Sequence, residues 1–234
     1  MDNIFLALDF PSWDEASQFI NKNDLQGVPV KVGMELFYRE GPHIIEKLKE
    51  NGHKIFLDLK LHDIPNTVHH AMKSLSTLNI DIVNVHALGG SEMIKRAKEG
   101  LLSGKGNERT KLIGVTILTS HSEETVQSEL QLQQSLHESA IHLAKVTRKS
   151  GADGVVCSVH EAKAIKEACG EEFLTVTPGI RLTDTDANDQ KRIATPAFAR
   201  TNGSDILVIG RSITAADNPL AAYNQAVKEW GHDS

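Results

Sequence analysis

Three charged side chains stand in and just after an otherwise apolar segment, within the stretch FLDLKLHDIPNT at residues 56–67. Asp58 and Lys60 are two residues apart and would project from the same face of a strand, whereas Asp63 follows in the next loop. Carboxylates and ammonium groups held together offset one another's charge, and they can stabilise charge that develops on a substrate. The spacing therefore predicts a catalytic array of charges, or alternatively an ion-pair network that only ties strands together.

Two short segments near the C-terminus combine a glycine with an arginine, which is the composition of an anion site. They are TPGIR at 177–181 and IGRS at 209–212. The glycines allow backbone N–H groups to approach an anion, and Arg181 and Arg211 can each present a fork of N–H donors to phosphate oxygens. Gln190, in the polar segment between them, would add a neutral donor. Each segment alone could be an ordinary turn, but the two together predict a phosphate site.

Eight short apolar segments, which must position these groups, alternate with amphipathic segments along the chain. Most are continuous apolar runs, as is typical of parallel strands that are covered on both faces. This alternation, without a break in composition, predicts an α/β fold, namely a single-domain (β/α)8 TIM barrel over residues 1–234. The expected strands are 4–8, 28–33, 54–60, 81–87, 111–119, 154–158, 173–179 and 205–210.

The carboxyl ends of all the strands of such a barrel meet at one mouth, where the active sites of this fold lie. Lys31, late in the second strand, then becomes a neighbour of the charge array. The two glycine–arginine segments fall in the seventh and eighth loops, which commonly bind phosphate. This placement favours catalysis over a purely structural network. The polar residues at or just past strand ends are Asp9, Lys31, Asp58, Lys60, His86, Thr119, Ser120, Ser158, Arg181 and Arg211.

The segments between the strands carry helix signals and two long polar connections. Ser12 begins a capping-box pattern, and Asn66 or Thr67 is expected to cap the helix that follows the charge array. The long connections at 119–135 and 181–196 are expected to be lids or binding loops, or else ordinary exposed loops.

The composition narrows the class of partner. The chain of 234 residues has a net charge of −6 and no basic stripe, which argues against nucleic acid. Its two cysteines form no metal or disulfide pattern and suggest a reducing, cytoplasmic compartment. The N-terminal segment MDNIFLALDF is acidic and too short in apolar residues for a signal peptide or a membrane span. The histidines show no HxxxH or HExxH spacing, so no metal site is expected.

In chain order, these segments resemble the orotidine 5′-phosphate decarboxylase family in its short bacterial form. The central motif is DLKLHDIPNT at 58–67, a D-x-K-x-x-D array that continues into I-P-N-T. The resemblance covers essentially the whole chain. The supporting segments are ALD at 7–9, VKVG at 30–33, VNVHALGG at 83–90, LTS at 118–120, TPGIR at 177–181, Gln190 and VIGRSI at 208–213.

The resemblance implies cofactor-independent decarboxylation of orotidine 5′-monophosphate to UMP, in pyrimidine biosynthesis, by a cytoplasmic homodimer. It makes Lys60 the proton donor, places Asp58 beside the substrate carboxylate, and adds Lys31 and Asp63 to the catalytic set. Asp63 and Thr67 would reach into the site of the other subunit, and His86 would line the site without an assigned role. The implied substrate-binding residues are Asp9, Lys31, Asp58, Ile64, Pro65, Asn66, Thr67, Thr119, Ser120, Pro178, Arg181, Gln190, Gly210 and Arg211.

Two alternatives remain open from the residues. Relatives that decarboxylate 3-keto-gulonate 6-phosphate or form hexulose phosphates also carry a D-x-K-x-x-D array, but they use Mg²⁺. The D-I-P-N-T continuation and the paired basic loops favour the orotidylate enzyme over them. The second alternative is a non-catalytic barrel that binds a phosphate ligand. It explains Asp58 poorly, because a binding protein gains little from a carboxylate next to an anion.

Overall fold

The computed structural model describes residues 3–104, 110–182 and 194–231 of the chain. Eight parallel strands pair in sequence order, and the last pairs with the first, so the sheet closes into a barrel. The expected barrel is therefore confirmed. The strands are β1 (Ile4–Leu8), β2 (Val30–Gly33), β3 (Ile55–Leu61), β4 (Ile82–His86), β5 (Lys111–Val115), β6 (Gly154–Val156), β7 (Leu174–Thr177) and β8 (Ile206–Ile209).

Helices follow the strands and cover the outside of the barrel. Their apolar faces pack on the outward side chains of the strands to form the larger core. No helix in the described ranges is long and apolar enough to cross a membrane. The helices are α1 (Trp13–Lys22), α2 (Met34–Glu40), α3 (His43–Glu50), α4 (Pro65–Ser76), α5 (Gly90–Ser103), α6 (Leu136–Lys149), α7 (Val159–Cys169), α8 (Pro196–Thr201), α9 (Arg211–Thr214) and α10 (Pro219–Gly231).

The interior of the barrel is a second, smaller core made by inward-facing side chains. Phe5 and Phe56 meet edge to face, with ring centroids 6.3 Å apart, and branched aliphatic residues from β4 to β8 fill the layer around them. This packed layer closes the barrel from below. The charged residues of β2 and β3 therefore stand above a rigid apolar floor.

Aspartates fix the opposite end of the barrel, where the strands begin. Asp81, Asp153 and Asp205 each precede a strand and accept a hydrogen bond from a backbone N–H of the strand before it, at 2.8, 2.8 and 2.7 Å. The repeat occurs between β3 and β4, β5 and β6, and β7 and β8. Ionised acceptors of backbone N–H groups form strong hydrogen bonds, so these aspartates stabilise the register far from the mouth.

The start of α4 differs from the expectation that Asn66 or Thr67 would cap it. The helix begins at Pro65, and Asn66 and Thr67 lie in its first turn. Proline favours the first helical position because its fixed φ suits the helix and its missing N–H needs no partner there. The carboxylate of Asp63 instead accepts the backbone N–H of Ile64 at 2.6 Å.

The connection after β5 begins earlier than expected and forms a hydrogen bond with the start of the next helix. The strand ends at Val115 rather than at Thr119 as expected, so Thr119 lies with Ser120 in the connection that follows. The Glu123 carboxylate accepts the N–H of Leu136 at 3.1 Å, at the first residue of α6. This contact joins the connection to the N-terminus of α6, while Thr119 and Ser120 at its start line the mouth.

Candidate active site

Two adjoining cavities occupy the carboxyl end of the barrel, and Asp58, Pro178 and Val208 line both of them. The first cavity also contains Lys60, Thr119 and Ser120 above the apolar side chains of Phe56, Val115, Ile117, Leu118 and Val156. The second is lined in addition by Ala7, Asp9, Lys31, Gly179, Arg181, Gly210 and Arg211. One molecule with a flat, partly apolar ring and an anionic group could therefore occupy both.

The charges between the cavities alternate in sign. Lys60 Nζ lies 2.6 Å from Asp58 Oδ1, and Lys31 Nζ lies 3.7 Å from Asp58 Oδ2. Lys31 Nζ also lies 2.6 Å from Asp9 Oδ1. The order Asp9–Lys31–Asp58–Lys60 gives each of the inner charges an opposite charge on both sides, which offsets the cost of holding them away from water.

Asp58 is largely buried but ionised. Burial opposes its negative charge, yet the neighbouring Lys60 and Lys31 ammonium groups, with hydrogen bonds from Lys60 and Asn84, outweigh that effect and hold its pKa below the ordinary value. The site therefore keeps a carboxylate with its charge in place at neutral pH.

Strand β3 is irregular at Lys60. Leu57 pairs with Val83 and Leu61 pairs with Val85, so β3 advances four residues while β4 advances two. Lys60 has φ +50°, in the left-handed region that a residue with a side chain enters at a cost of about 1 kcal/mol. The side chains of Asp58 and Lys60 do converge as expected, but through this irregularity rather than through regular strand alternation.

The anion side of the site contains a buried arginine. Arg181 is only 7% exposed, and its Nη1 donates to the carbonyl of Ile180 at 3.0 Å. Its buried Nε has no hydrogen-bond partner among the described residues. Burial, with a smaller effect of nearby Arg211, lowers the pKa of Arg181. None of the ion pairs among the described residues involves Arg181. Two guanidinium groups in this arrangement favour an anionic ligand.

Most of the expected site residues come together at the mouth, and one group does not. Those that line the two cavities are Asp9, Lys31, Asp58, Lys60, Thr119, Ser120, Pro178, Arg181, Gly210 and Arg211. Asp63, Ile64, Pro65, Asn66 and Thr67 line neither cavity. Asp63, Ile64, Asn66 and Thr67 are exposed. Gln190 lies outside the described residues.

Sequence reasoning missed Asn84, which is fully buried in the barrel interior. Its Nδ2 donates to Asp58 Oδ1 at 2.7 Å, and its Oδ1 accepts the backbone N–H of Lys60 at 2.7 Å. The sequence does place an asparagine in the middle of the apolar strand IVNVH. Because buried amides need hydrogen-bond partners, that position could have indicated a role for Asn84.

Comparisons with known proteins agree with this geometry. The family model described as "Orotidine 5'-phosphate decarboxylase / HUMPS family" matches residues 2–226. Proteins named orotidine 5′-phosphate decarboxylase from Bacillus cytotoxicus and Bacillus mycoides are each 56% identical over 230 residues, which is 97% of both chains. The chain belongs to the orotidine 5′-phosphate decarboxylase / HUMPS family.

Solved structures of similar chains share the barrel. The crystal structure of orotidine 5′-phosphate decarboxylase from Lactobacillus acidophilus is 45% identical, with a TM-score of 0.88 over 99% of this chain and all of that one. A structure from Geobacillus kaustophilus, titled as an uncharacterized conserved protein, is 47% identical with a TM-score of 0.86, over 97% of this chain and all of that one. The similarity to the orotidine 5′-phosphate decarboxylase / HUMPS family therefore extends over the whole barrel and is not limited to a single motif.

His86, which was expected to line the site, ends β4 and lines neither cavity. It stacks on His62 with ring centroids 5.5 Å apart. Burial, then the proximity of His62, His121 and Lys60, lowers the pKa of His86 from 6.5 to about 4. The backbone N–H of Leu88 donates to His86 Nδ1 at 3.4 Å, which leaves the proton on Nε2 of the neutral ring. At neutral pH, His86 is thus a neutral donor rather than a cation.

This shift predicts a pH dependence of stability. Between about pH 4 and 6.5 the unfolded chain binds a proton at His86 that the folded chain does not bind. The free energy of unfolding should therefore rise with pH through this window, and it should fall as the pH drops. We expect His86→Gln to flatten that slope, measured by urea unfolding at several pH values. His142→Gln, on an exposed side chain, is the control. An unchanged slope in His86→Gln would contradict the prediction.

Proposed function

We propose that the protein converts orotidine 5′-monophosphate to UMP and CO₂, a step of pyrimidine nucleotide synthesis, with its own side chains and without a metal or organic cofactor. The observation that carries this proposal is the alternating array of lysines and aspartates between an apolar cavity and an arginine-lined cavity. The names of relatives 56% identical along the chain support the same reaction.

The nucleotide has three parts, and the mouth offers an environment for each of them. The phosphate binds at Arg181, Arg211 and Gly210. The family resemblance adds Gln190, which lies outside the described residues, as a further donor. The ribose hydroxyls lie near Asp9 and Lys31. The pyrimidine enters the cavity that has an apolar floor, where Thr119, Ser120 and Pro178 face its edge. The carboxylate at C6 then points toward Asp58, which lines both cavities, and toward Lys60, which lines the first cavity beside it.

The reaction breaks the bond between C6 and the carboxylate carbon. CO₂ leaves, and the electron pair stays on C6 in the plane of the ring, where the π system absorbs it poorly. The Lys60 ammonium stabilises this developing negative charge and then transfers one proton from Nζ to C6, which forms the C6–H bond of UMP. Water restores the proton on Lys60 before the next turnover.

Asp58 contributes by repelling the substrate carboxylate. Two unit charges 4 Å apart repel by about 4 kcal/mol at an effective dielectric constant near 20. The repulsion disappears when CO₂, which is neutral, departs, so it acts on the bound substrate and not on the transition state for its release. Binding of the remote phosphate offsets this unfavourable contact in the substrate complex.

The segment from Asp63 to Thr67, which lines neither cavity, supports a site shared between the subunits of a homodimer. The Asp63 carboxylate binds its own Ile64 N–H, and no described lysine lies within ion-pair distance of it. Ile64 is 67% exposed, so its apolar side chain is available for contact with a second subunit. We infer that Asp63 and Thr67, with Ile64, Pro65 and Asn66, face the mouth of a second subunit. The compartment we propose is the cytoplasm, and both cysteines are free thiols.

Shared sites predict complementation between two inactive variants. Lys60→Ala and Asp63→Ala should each abolish most of the activity as homodimers. In a mixed dimer, the site with an intact Lys60 receives Asp63 from the Lys60→Ala subunit, so one of the two sites is whole. After complete subunit exchange we expect about a quarter of the wild-type activity. The activity of mixtures is measured against protein concentration and exchange time. A mixture no more active than the average of its components would contradict the shared site.

A panel of substrates tests the reaction itself. Wild-type protein is assayed with orotidine 5′-monophosphate, 3-keto-gulonate 6-phosphate and hexulose 6-phosphate, each with EDTA and with Mg²⁺. The proposal expects turnover of orotidine 5′-monophosphate only, at the same rate in both conditions. Mg²⁺-dependent turnover of a sugar phosphate would instead assign the protein the activity of the Mg²⁺-using enzymes. Binding of a phosphate ligand without turnover would make it a ligand-binding barrel.

A further inference from the structure

Asn84 connects the two residues at the centre of the proposed reaction without lining either cavity. Its side chain is fully buried, and both polar atoms of its amide are used. Nδ2 donates to Asp58 Oδ1, and Oδ1 accepts the N–H of Lys60, both at 2.7 Å. One amide thus holds the side chain of one reacting group and the backbone of the other.

The contact with Lys60 accounts for the irregularity of β3. Where the register shifts between Leu57 and Leu61, the N–H of Lys60 bonds to the Asn84 side chain rather than to the backbone of β4. A left-handed residue other than glycine persists only when its surroundings hold it there. The side-chain oxygen of Asn84 supplies that restraint on Lys60, whose φ is +50°. The direction in which the Lys60 side chain leaves the strand therefore depends on Asn84.

The contact with Asp58 fixes the carboxylate. Asp58 Oδ1 receives two donors, Asn84 Nδ2 at 2.7 Å and Lys60 Nζ at 2.6 Å, while Oδ2 faces Lys31 at 3.7 Å. The Asn84 donor is neutral and lies in the buried interior of the barrel, so it restrains the carboxylate without adding a charge. This hydrogen bond also contributes to the lowered pKa of Asp58.

Few other residues meet both requirements. Aspartate would keep the acceptor for Lys60 but, when ionised, would place a second carboxylate against Asp58. Leucine has nearly the same shape but neither polar atom. Glutamine is longer by one methylene group in a fully packed interior, where added volume displaces neighbours.

We propose that Asn84 is a positioning residue for the decarboxylation, acting through Asp58 and Lys60. The inference depends on the proposed function, because it concerns the alignment of those two groups with the C6 carboxylate. Displacement of a reacting group by about 1 Å can cost about 10²-fold in rate. Since the phosphate and ribose contacts lie elsewhere in the mouth, the loss should appear in kcat much more than in KM.

The test uses Asn84→Leu and Asn84→Asp in the full-length protein, with Thr175→Val as a matched control. Thr175 is also fully buried, and its hydroxyl donates to the Gly203 carbonyl at 2.7 Å at the start of β7, far from the mouth. Thr175→Val should lose stability but keep the wild-type kcat. We expect Asn84→Leu to lower kcat about 10- to 100-fold, with KM changed less than about 3-fold.

Asn84→Asp provides a readout that a purely structural role would not change. When the new carboxyl is protonated it can donate to Asp58 as the amide does, and when it ionises it repels Asp58. Its kcat, relative to wild type, should therefore recover as the pH is lowered. This variant also decides the matter if Asn84→Leu does not fold.

Folded Asn84 variants with the wild-type kcat and pH profile would overturn the inference. So would an equal loss of kcat in Thr175→Val. Failure of the proposed function is distinguishable, because wild-type protein would then not turn over orotidine 5′-monophosphate at all.

Discussion

Lys60→Ala is expected to lower kcat for orotidine 5′-monophosphate by about 10³- to 10⁴-fold, the upper part of the range for general acid catalysis. The ammonium is the nearest described cation to Asp58, with Nζ 2.6 Å from Oδ1, and it lines the cavity assigned to the pyrimidine. Its loss removes both the proton donor and the charge that stabilises the electron pair on C6. The measurement is steady-state decarboxylation with the phosphate-containing substrate, alongside circular dichroism to establish folding.

Lys60→Arg separates charge from proton donation. Arginine keeps the positive charge, but its guanidinium does not release a proton at accessible pH and is planar rather than compact. We therefore expect Lys60→Arg to be nearly as inactive as Lys60→Ala. Lys111→Ala, at an exposed side chain at the start of β5, controls for the general loss of a lysine. A Lys60→Arg variant with kcat within a few fold of wild type would contradict the role of Lys60 as the donor.

Arg211→Ala is expected to lower kcat/KM about 10- to 100-fold, because a hydrogen bond to a charged group contributes about 1.5–3 kcal/mol. Arg211 lies with Gly210 and Arg181 around the cavity assigned to the phosphate. Binding energy from the phosphate is needed to hold the substrate carboxylate against Asp58, so part of the loss should appear in kcat as well as in KM. The measurement is kcat/KM for orotidine 5′-monophosphate.

Orotidine, which lacks the phosphate, is the decisive comparison for Arg211. If the side chain acts through the phosphate, Arg211→Ala should change kcat/KM for orotidine by less than about 3-fold, because the lost contact is absent in both proteins. Arg148→Ala, in the last turn of α6 at the other end of the barrel, is the matched control. Equal losses with both substrates would mean that Arg211 acts on the fold and not on the phosphate.

The sequence predicted the barrel because its strands are apolar runs of the right length separated by amphipathic segments. It also predicted that Lys31 and the Asp58–Lys60 pair would meet, since sequential parallel strands bring β2 and β3 together. The loops with Arg181 and Arg211 were found because the fold fixes where the seventh and eighth loops lie. These are consequences of periodicity and topology, which single residues cannot easily override.

Other features depend on contacts that no local pattern encodes. Nothing at Lys60 suggests a left-handed backbone, because that conformation is stabilised by Asn84 on another strand. The start of α4 was misplaced because Pro65 has a stronger preference for the first helical position than Asn66 or Thr67 has for the cap. The segment from Asp63 to Thr67 lines neither cavity of one chain's mouth, and its proposed role depends on a second subunit.

The most direct test of the account is metal-free turnover by the wild-type protein. Protein dialysed against EDTA is mixed with orotidine 5′-monophosphate, the loss of substrate ultraviolet absorbance is followed, and released CO₂ is measured with Lys60→Ala in parallel. We expect wild-type protein to consume the substrate rapidly and to release one CO₂ for each UMP formed. The Lys60→Ala variant should consume almost no substrate and release almost no CO₂. Wild-type protein that leaves the substrate unchanged in EDTA would contradict the central claim and direct attention to sugar phosphates with Mg²⁺.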